Sequence, residues 1–293
     1  MDKSRRSFLK GLAYAGATAA GSALPAAASE EKPKAPADAV GMLYDTTLCI
    51  GCKTCVVACH EANDLPPDNR DNPLHDQPRA LNDRTKNIIK LYQEDGQRSY
   101  IKQQCMHCID PACAAACMIG SFQKREHGIV TWDPNRCIGC RYCQVACPYN
   151  VPKFEWDTPA PRIIKCEMCN HLIAEGKQPA CCEVCPRGAV IYGTYEELLA
   201  EARRRLKENP DKYVPKIFGE TDGGGTQVLY LSHVDFDKLG LPELGDECHA
   251  TLNRSIQHGI YQGMIAPVAL YAVLGGVMLR NRRAGNDDEG GES

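Results

Sequence analysis

Aromatic residues are scarce in this chain: 5 Phe, 2 Trp and 12 Tyr among 293 residues, 6% of the total. That is thin for an apolar core of this length, so something besides side-chain packing is expected to help hold the chain together. A dominant charge is also missing. Lys and Arg number 34 against 37 Asp and Glu, for a formal net charge of −3. A basic nucleic-acid-binding face is therefore not expected. Apolar runs long enough to cross a bilayer are lacking until the C-terminus, which excludes a multi-span membrane protein. Collagen-like and low-complexity compositions are absent, and 24% charged residues do not mark a disordered chain. The sequence carries no Gly-rich nucleotide loop, no nucleophile triad and no separate catalytic domain. The length allows one or two domains.

What the chain has in abundance is cysteine, 18 residues. Sixteen fall into four runs. Cys49, Cys52, Cys55 and Cys59 are spaced C-x2-C-x2-C-x3-C. Cys105, Cys108, Cys113 and Cys117 are spaced C-x2-C-x4-C-x3-C. Cys137, Cys140, Cys143 and Cys147 repeat the first spacing, and Pro148 follows. Cys166 and Cys169 precede Cys181 and Cys185, with Pro186 next. Cys182 and Cys248 are left over.

The C-x2-C-x2-C-x3-C-P run is the signature of bacterial ferredoxins, in which the fourth cysteine ligates a second cluster. A tight loop points three thiolates at corners of one cubane, and the fourth, one helical step on, reaches the next. Two runs make a two-cluster module, so four runs predict two modules and four 4Fe–4S clusters. Zinc is the chemical alternative, but it needs paired ligands and no third cysteine at x2. Disulfides fit less well, since such closely packed runs cannot all meet bridge geometry.

Local patterns agree with ferredoxin modules. Residues 121–124 and 129–132 flank a Glu126-His127-Gly128 turn and read as a hairpin. Residues 189–192 read as a strand that could pair with 42–44, and short helices are expected after Cys59, Cys117 and Cys147. Residues 195–208 read as a helix, with Glu201 and Arg205 at i,i+4 on a solvated face. The expected fold class is α+β: two bacterial-ferredoxin-like modules plus one C-terminal transmembrane helix.

Both ends carry membrane-related signals. Arg5 and Arg6, followed by Phe8 and Leu9, resemble a twin-arginine export motif. An Ala/Gly-rich stretch and Ala26–Ala28 complete a signal peptide over 1–28, against the plainer reading of a short basic helix. Its removal takes a net +3, leaving −6. This route suits a protein that receives its cofactors before export, so the cysteines need not form a disulfide framework. From Ile260 to Leu279 run 20 residues with Gln262 the one uncharged polar exception. At about 1.5 Å per residue they span roughly one hydrocarbon core, and Pro267 is tolerable there. Arg280, Arg282 and Arg283 follow, so the positive-inside rule puts the C-terminus in the cytoplasm and the large domain outside. A buried core helix is the alternative reading. The expected organisation is thus a signal peptide over 1–28, a cluster domain over 40–234, a linker over 235–259, an anchor over 260–279 and a cytoplasmic tail over 280–293.

The cysteine runs, the segment from Gly41 to Asp45, the run from Tyr100 to Cys108, the run from Cys140 to Lys153 and the segment from Gly223 to Leu231 together carry a family likeness. The chain resembles the four-cluster iron–sulfur subunits of membrane-bound, twin-arginine-exported oxidoreductases. Within them it is most similar to the HybA-type electron-transfer subunits of periplasmic nickel–iron hydrogenases. The resemblance covers about Val40 to Val234 plus the anchor. It implies that the first and fourth runs form one module, and the second and third the other. Carried over, Cys49, Cys52, Cys55 and Cys185 would hold one cluster, and Cys59, Cys166, Cys169 and Cys181 its neighbour. Cys105, Cys108, Cys113 and Cys147 would hold a third, and Cys117, Cys137, Cys140 and Cys143 the fourth.

His60 and Met118 stand where the signature has proline, and Cys182 remains open as a substitute for Cys181. Cys248 reads as an ordinary thiol, and His107 and His171 as loop residues. Gly51 and Gly139 supply loop N–H groups to offset cluster charge, while Arg141, Lys153 and Lys165 are candidate cations, each equally readable as surface charge. The likeness implies a non-catalytic wire between the hydrogenase small and large subunits and an integral membrane quinone-reactive subunit. The same role in a formate dehydrogenase, a zinc-stabilised structural protein and an enzyme in its own right are the other readings.

Overall fold

The computed structural model describes residues 33–66, 80–94, 96–158 and 161–289. The expected signal peptide lies outside the described residues. The described residues from 33 to 255 belong to one compact unit, and those from Ile256 onward to another.

The body is organised on a three-stranded sheet. Its strands are β1 (Val40–Asp45), β8 (Val190–Thr194) and β9 (Val228–Leu231), in the order β8-β1-β9. β1 pairs antiparallel with β8, placing Met42 opposite Tyr192 and Tyr44 opposite Val190. This is the pairing expected from the sequence. β1 also pairs parallel with β9, Met42 opposite Val228. As the central strand it is buried almost throughout.

Side chains alternate across the sheet. Leu43, Leu229 and Leu231 face helix α6 (Tyr195–Glu208) and pack with Tyr195, Leu198, Leu199 and Ala202. Met42, Tyr44, Val228 and Tyr230 face the other way, into a core that includes Cys181 and Cys182 and touches Cys49, Cys55, Cys105, Cys108, Cys147 and Cys185. Helix α6 begins at a capping box. Thr194 accepts from the Glu197 N–H, and the Glu197 carboxylate accepts from the Thr194 N–H, satisfying two end donors. Gly41 is required by close approach, since a Cβ there would lie 2.2 Å from the Gln227 carbonyl oxygen.

Five of the buried aromatics, Tyr44, Tyr149, Phe218, Tyr230 and Phe236, share the core on the cysteine side of the sheet. Tyr44 and Tyr230 meet edge-on at 5.5 Å, and Phe218 meets Tyr230, Tyr149 and Phe236 at 6.3, 6.3 and 5.2 Å. Phe236 and Leu239 are buried in the same core, so the segment read as a linker packs on the body at these residues.

Three hairpins complete the strands. β2 (Asn87–Glu94) pairs with β3 (Gln97–Gln104), a hairpin not anticipated from the sequence. β4 (Phe122–Lys124) pairs with β5 (Val130–Trp132) as expected, and β6 (Lys153–Phe154) pairs with β7 (Ile163–Ile164). The short helices are α1 (Thr54–Ala62), α2 (Ala112–Ala115), α3 (Tyr142–Ala146), α4 (Asn170–Ala174) and α5 (Ala180–Glu183). They differ from expectation in place: α1 contains Cys59, and α2 and α3 end just before Cys117 and Cys147. In each run a helical turn lies between the last two cysteines and separates the two sulfurs; only α1 also continues beyond its last cysteine, to Ala62.

Helix α7 (Ala250–Glu289) ends the described chain, with Pro267 inside it. Residues Gly263–Arg280 are long and apolar enough to cross a membrane, and none of that stretch is buried.

Candidate iron–sulfur centres

Each cysteine run begins with a loop that turns through a left-handed residue. Gly51 and Gly139 take φ of 72° and 70° at the third position of the first and third runs. His107 and Met168 occupy the same position in the second and fourth runs, with φ of 48° and 54°. The side-chain residues pay strain that glycine avoids. The turn aims a backbone N–H at the first sulfur of the run. Gly51, Gly139 and Met168 donate to Cys49, Cys137 and Cys166, each at 3.4 Å. Ser121 and Ala189 donate to Cys117 and Cys185 at 3.2 and 3.3 Å. Such N–H donors stabilise negative charge on a thiolate.

A helical turn then distributes the last two cysteines. Four residues advance about 6 Å along a helix, so Cys55 and Cys59 have different surroundings. Cys55 lines a cavity with Cys49, Cys52 and Cys185, closed by Tyr44, Ile50, Ile89 and Pro186. Cys59 instead has Cys166, Cys181 and Cys169 as its electrostatic neighbours. Helices α1 and α5 pack on each other, in opposite senses: Cys55 meets Cys185 and Cys59 meets Cys181. Helices α2 and α3 repeat the arrangement. Cys108 neighbours Cys147, Cys105 and Cys113. Cys117, Cys137, Cys140 and Cys143 line a second cavity with Phe122 and Ile163.

Cavity lining and electrostatic neighbourhood group the cysteines: Cys49, Cys52, Cys55 and Cys185 line one cavity and Cys117, Cys137, Cys140 and Cys143 another, while Cys59 neighbours Cys166, Cys169 and Cys181, and Cys108 neighbours Cys105, Cys113 and Cys147. Among the described residues, no three His, Cys, Asp or Glu close on a point that a single metal ion could occupy.

The sets also follow one another. Cys55 interacts with Cys181, joining the Cys49 set to the Cys59 set. Cys166 interacts with Cys105, joining the Cys59 set to the Cys105 set. Cys113 interacts with Cys143, joining the Cys105 set to the Cys117 set. The order along the body is therefore Cys49, Cys59, Cys105, Cys117. Cys52 and Cys140, in the two end sets, are the exposed members.

Burial pushes these thiols away from ionisation. Cys55, Cys143 and Cys166 are raised to about 12 and Cys147 to about 11, with desolvation the largest cause and neighbouring cysteines adding to it. A cluster needs them as thiolates, so loading must expel their protons and charge must be balanced locally. Cations do sit there. Lys165 is buried; its Nζ donates to the carbonyls of Val130 and Cys166 and lies 3.9 Å from the Cys105 sulfur. Lys102, on β3, is fully buried and donates to Gln104. Burial alone would lower its pKa, but Cys181, Cys55 and Cys166 outweigh that and hold it above the ordinary value. Asn63 donates to Cys59 and Cys169, each at 3.7 Å, and is itself held by Lys86 at 2.9 Å.

The other expected residues sort as follows. Lys153 lies beside Cys147 and bonds Asn150 at 3.0 Å. Arg141 stacks on the Trp156 ring at 3.8 Å. His107 is buried, and its Nδ1 accepts the Val130 N–H at 3.1 Å. That bond supports a structural role for the histidine. Cys182 neighbours Cys181; the pair is coupled, with Cys181 lowered chiefly by its interaction with Cys182 and Cys182 itself raised. Cys248 stands apart from the four sets, 3.1 Å from an Asp110 carboxylate oxygen that Arg254 also binds. Sequence reading missed Lys102 and Asn63. Lys102 stands three residues before Cys105, a position with no motif value.

Comparison with known proteins agrees with this geometry. Residues 97–195 match the 4Fe-4S dicluster domain family. The hydrogenase-2 operon protein HybA of Escherichia coli O157:H7 is 42% identical over 328 aligned positions, covering 98% of each chain, and that of Shigella flexneri is equally similar. The iron–sulfur subunit of the nitrate-inducible formate dehydrogenase of Escherichia coli K12 is 36% identical, over 70% of this chain and 72% of its own. With relatives of that identity over almost its whole length, and cysteine sets built to surround clusters, the chain belongs to the HybA-like family of iron–sulfur electron-transfer subunits.

Proposed function

We propose that the chain is a non-catalytic wire of four 4Fe–4S clusters between a periplasmic nickel–iron hydrogenase and an integral membrane quinone-reactive subunit. The observation that carries this reading is the serial order of the four cysteine sets, with an exposed cysteine at each end. Cys49, Cys52, Cys55 and Cys185 hold the first cluster, and Cys59, Cys166, Cys169 and Cys181 the second. Cys105, Cys108, Cys113 and Cys147 hold the third, and Cys117, Cys137, Cys140 and Cys143 the fourth. When bound, each cluster accepts and releases one electron at a time. The chain's own residues fix the spacing of the clusters, exclude water with Tyr44, Ile89, Phe122 and Ile163, and offset their charge with N–H donors and buried lysines. Hydrogen oxidised by the partner's large subunit yields two protons and two electrons; the electrons pass through the small subunit to this chain and then to a quinone.

Membrane attachment is assigned to α7. Its apolar stretch is exposed, including Leu270, Tyr271 and Met278, and a surface of that kind needs an apolar surrounding. Arg280, Arg282 and Arg283 place the C-terminus in the cytoplasm, and the twin-arginine motif delivers the folded body to the periplasm. Nucleic acid has no part in this reading.

The formate dehydrogenase relatives support a second donor, a molybdenum or tungsten enzyme. Metal content of the complex, solubilised gently from membranes and purified through this chain, separates the two. Nickel with abundant iron is the expected result. Molybdenum or tungsten without nickel would move the chain to a formate-dehydrogenase-type complex.

A further inference from the structure

Two lysines are buried where cysteine sets adjoin, and each serves two sets. Lys102 sits on β3 directly opposite Ile89, which lines the cavity of the first set, and its electrostatic neighbours are Cys181 and Cys166 of the second set and Cys55 of the first. Its side chain is fully enclosed, held through Gln104 and covered by Tyr230, whose hydroxyl donates to the Lys102 carbonyl at 2.7 Å. Lys165 touches the Cys105 sulfur of the third set and the Cys166 backbone of the second. Burying an ammonium is costly unless negative charge surrounds it. Each lysine has cysteines of two sets around it; among the described residues Lys102 has only cysteines and Tyr230 as its main negative neighbours, while Lys165 has Glu167 besides its cysteines. Most of the charge that would compensate them is therefore that of the clusters.

We infer that Lys102 and Lys165 are potential-setting residues, each raising the reduction potentials of the two clusters it lies between. This rests on the four-cluster reading above. A fixed positive charge stabilises the reduced, more negative state of a nearby cluster. At an effective dielectric of about 20, one unit charge a few ångströms away changes that equilibrium about tenfold or more. The Cys59 set, lying between both lysines, takes both effects. The Cys49 set takes only that of Lys102, the Cys105 set only that of Lys165, and the Cys117 set neither. The pattern makes the second cluster of the wire the most strongly raised.

The test is a redox titration of the purified complex, followed by electron paramagnetic resonance, for wild type, Lys102→Met and Lys165→Met. Iron and acid-labile sulfide are measured on each sample first. Each variant is expected to lower two of the four potentials by about tenfold in equilibrium, 59 mV for a one-electron couple. One cluster, common to both variants, falls in each. Fully loaded variants with no shift, with all four potentials shifted alike, or with no cluster in common would overturn the inference while leaving the wire intact. Wild type lacking four clusters would instead overturn the reading beneath it. If a methionine variant fails to load, Gln104→Glu keeps Lys102 and places a negative charge against it. A fall in the same two potentials supports the inference, and unchanged potentials overturn it.

Discussion

Cys181 and Cys182 are adjacent in the chain and both buried, yet their surroundings separate them. Cys181 lies among Cys59, Cys166 and Lys102, while the Cys182 thiol is coupled to the Cys181 sulfur and is the one raised. Cys181→Ser is therefore expected to cost one cluster, about a quarter of the iron, and Cys182→Ser to keep all of it. Iron analysis of the two purified variants checks this, and the opposite pattern would exchange their roles. The sixteen proposed ligands were legible because cysteine spacing is a local property: three positions in a loop and a fourth one turn on. Lys102 was not. Its neighbours, Gln97–Gln104, form a polar strand, and lysine in such a strand is ordinarily solvated. Only the folded chain shows that a residue 79 positions from Cys181 is buried beside it.

At the scale of elements, the tie between α6 and β1 is polar as well as apolar. Asp45 is fully buried at the end of β1 and accepts from Tyr213 at 2.8 Å and Arg205 at 3.0 Å. Arg205→Met leaves that buried carboxylate without its cation, held only by the uncharged donors Tyr213 and Thr47, and is expected to cost about 3 kcal/mol, read by denaturant unfolding under anaerobic conditions. Glu201 binds Arg204 and Arg205 from the more exposed side, at 2.9 and 2.7 Å. Its carboxyl is held down at about 2, mainly by the Arg204 hydrogen bond. A depressed carboxyl stabilises the fold above its unfolded pKa and stops doing so as pH falls through its folded one. Glu201→Gln should then lose at most about 1 kcal/mol at neutral pH, given solvent screening. The difference from wild type should shrink between about pH 4.5 and 2, and a gap that is constant with pH would contradict the assignment. Helix α6 was legible from its composition, and the β4–β5 hairpin from its turn. The parallel pairing of β1 with β9 was not, because nothing local in either strand identifies a partner more than 180 residues away. The β2–β3 hairpin escaped notice because its strands lack a strong apolar alternation.

At the scale of the whole molecule, a cysteine-rich body is followed by a helix with a stretch, Gly263–Arg280, long and apolar enough to cross a membrane. A chain ending at Ser255 keeps the body, including the Arg254–Asp110 pair. It is expected to load its clusters and to appear in the soluble fraction, while the full chain stays with the membrane after a carbonate wash. Retention of the shortened chain on membranes lacking the partner subunits would remove α7 as the anchor. The scarcity of aromatics has its explanation at this scale too. Tyr44, Tyr149, Phe218, Tyr230 and Phe236 gather in the core toward the cysteines, where the proposed clusters would take the place of the missing apolar core. The central claim is that all sixteen proposed ligands hold iron in four cubanes. The most direct test is iron, acid-labile sulfide and zinc per chain in the anaerobically purified protein. About sixteen iron and sixteen sulfide per chain, four of each per cubane, with no zinc, is the predicted result. Half that iron, or zinc in its place, would contradict it.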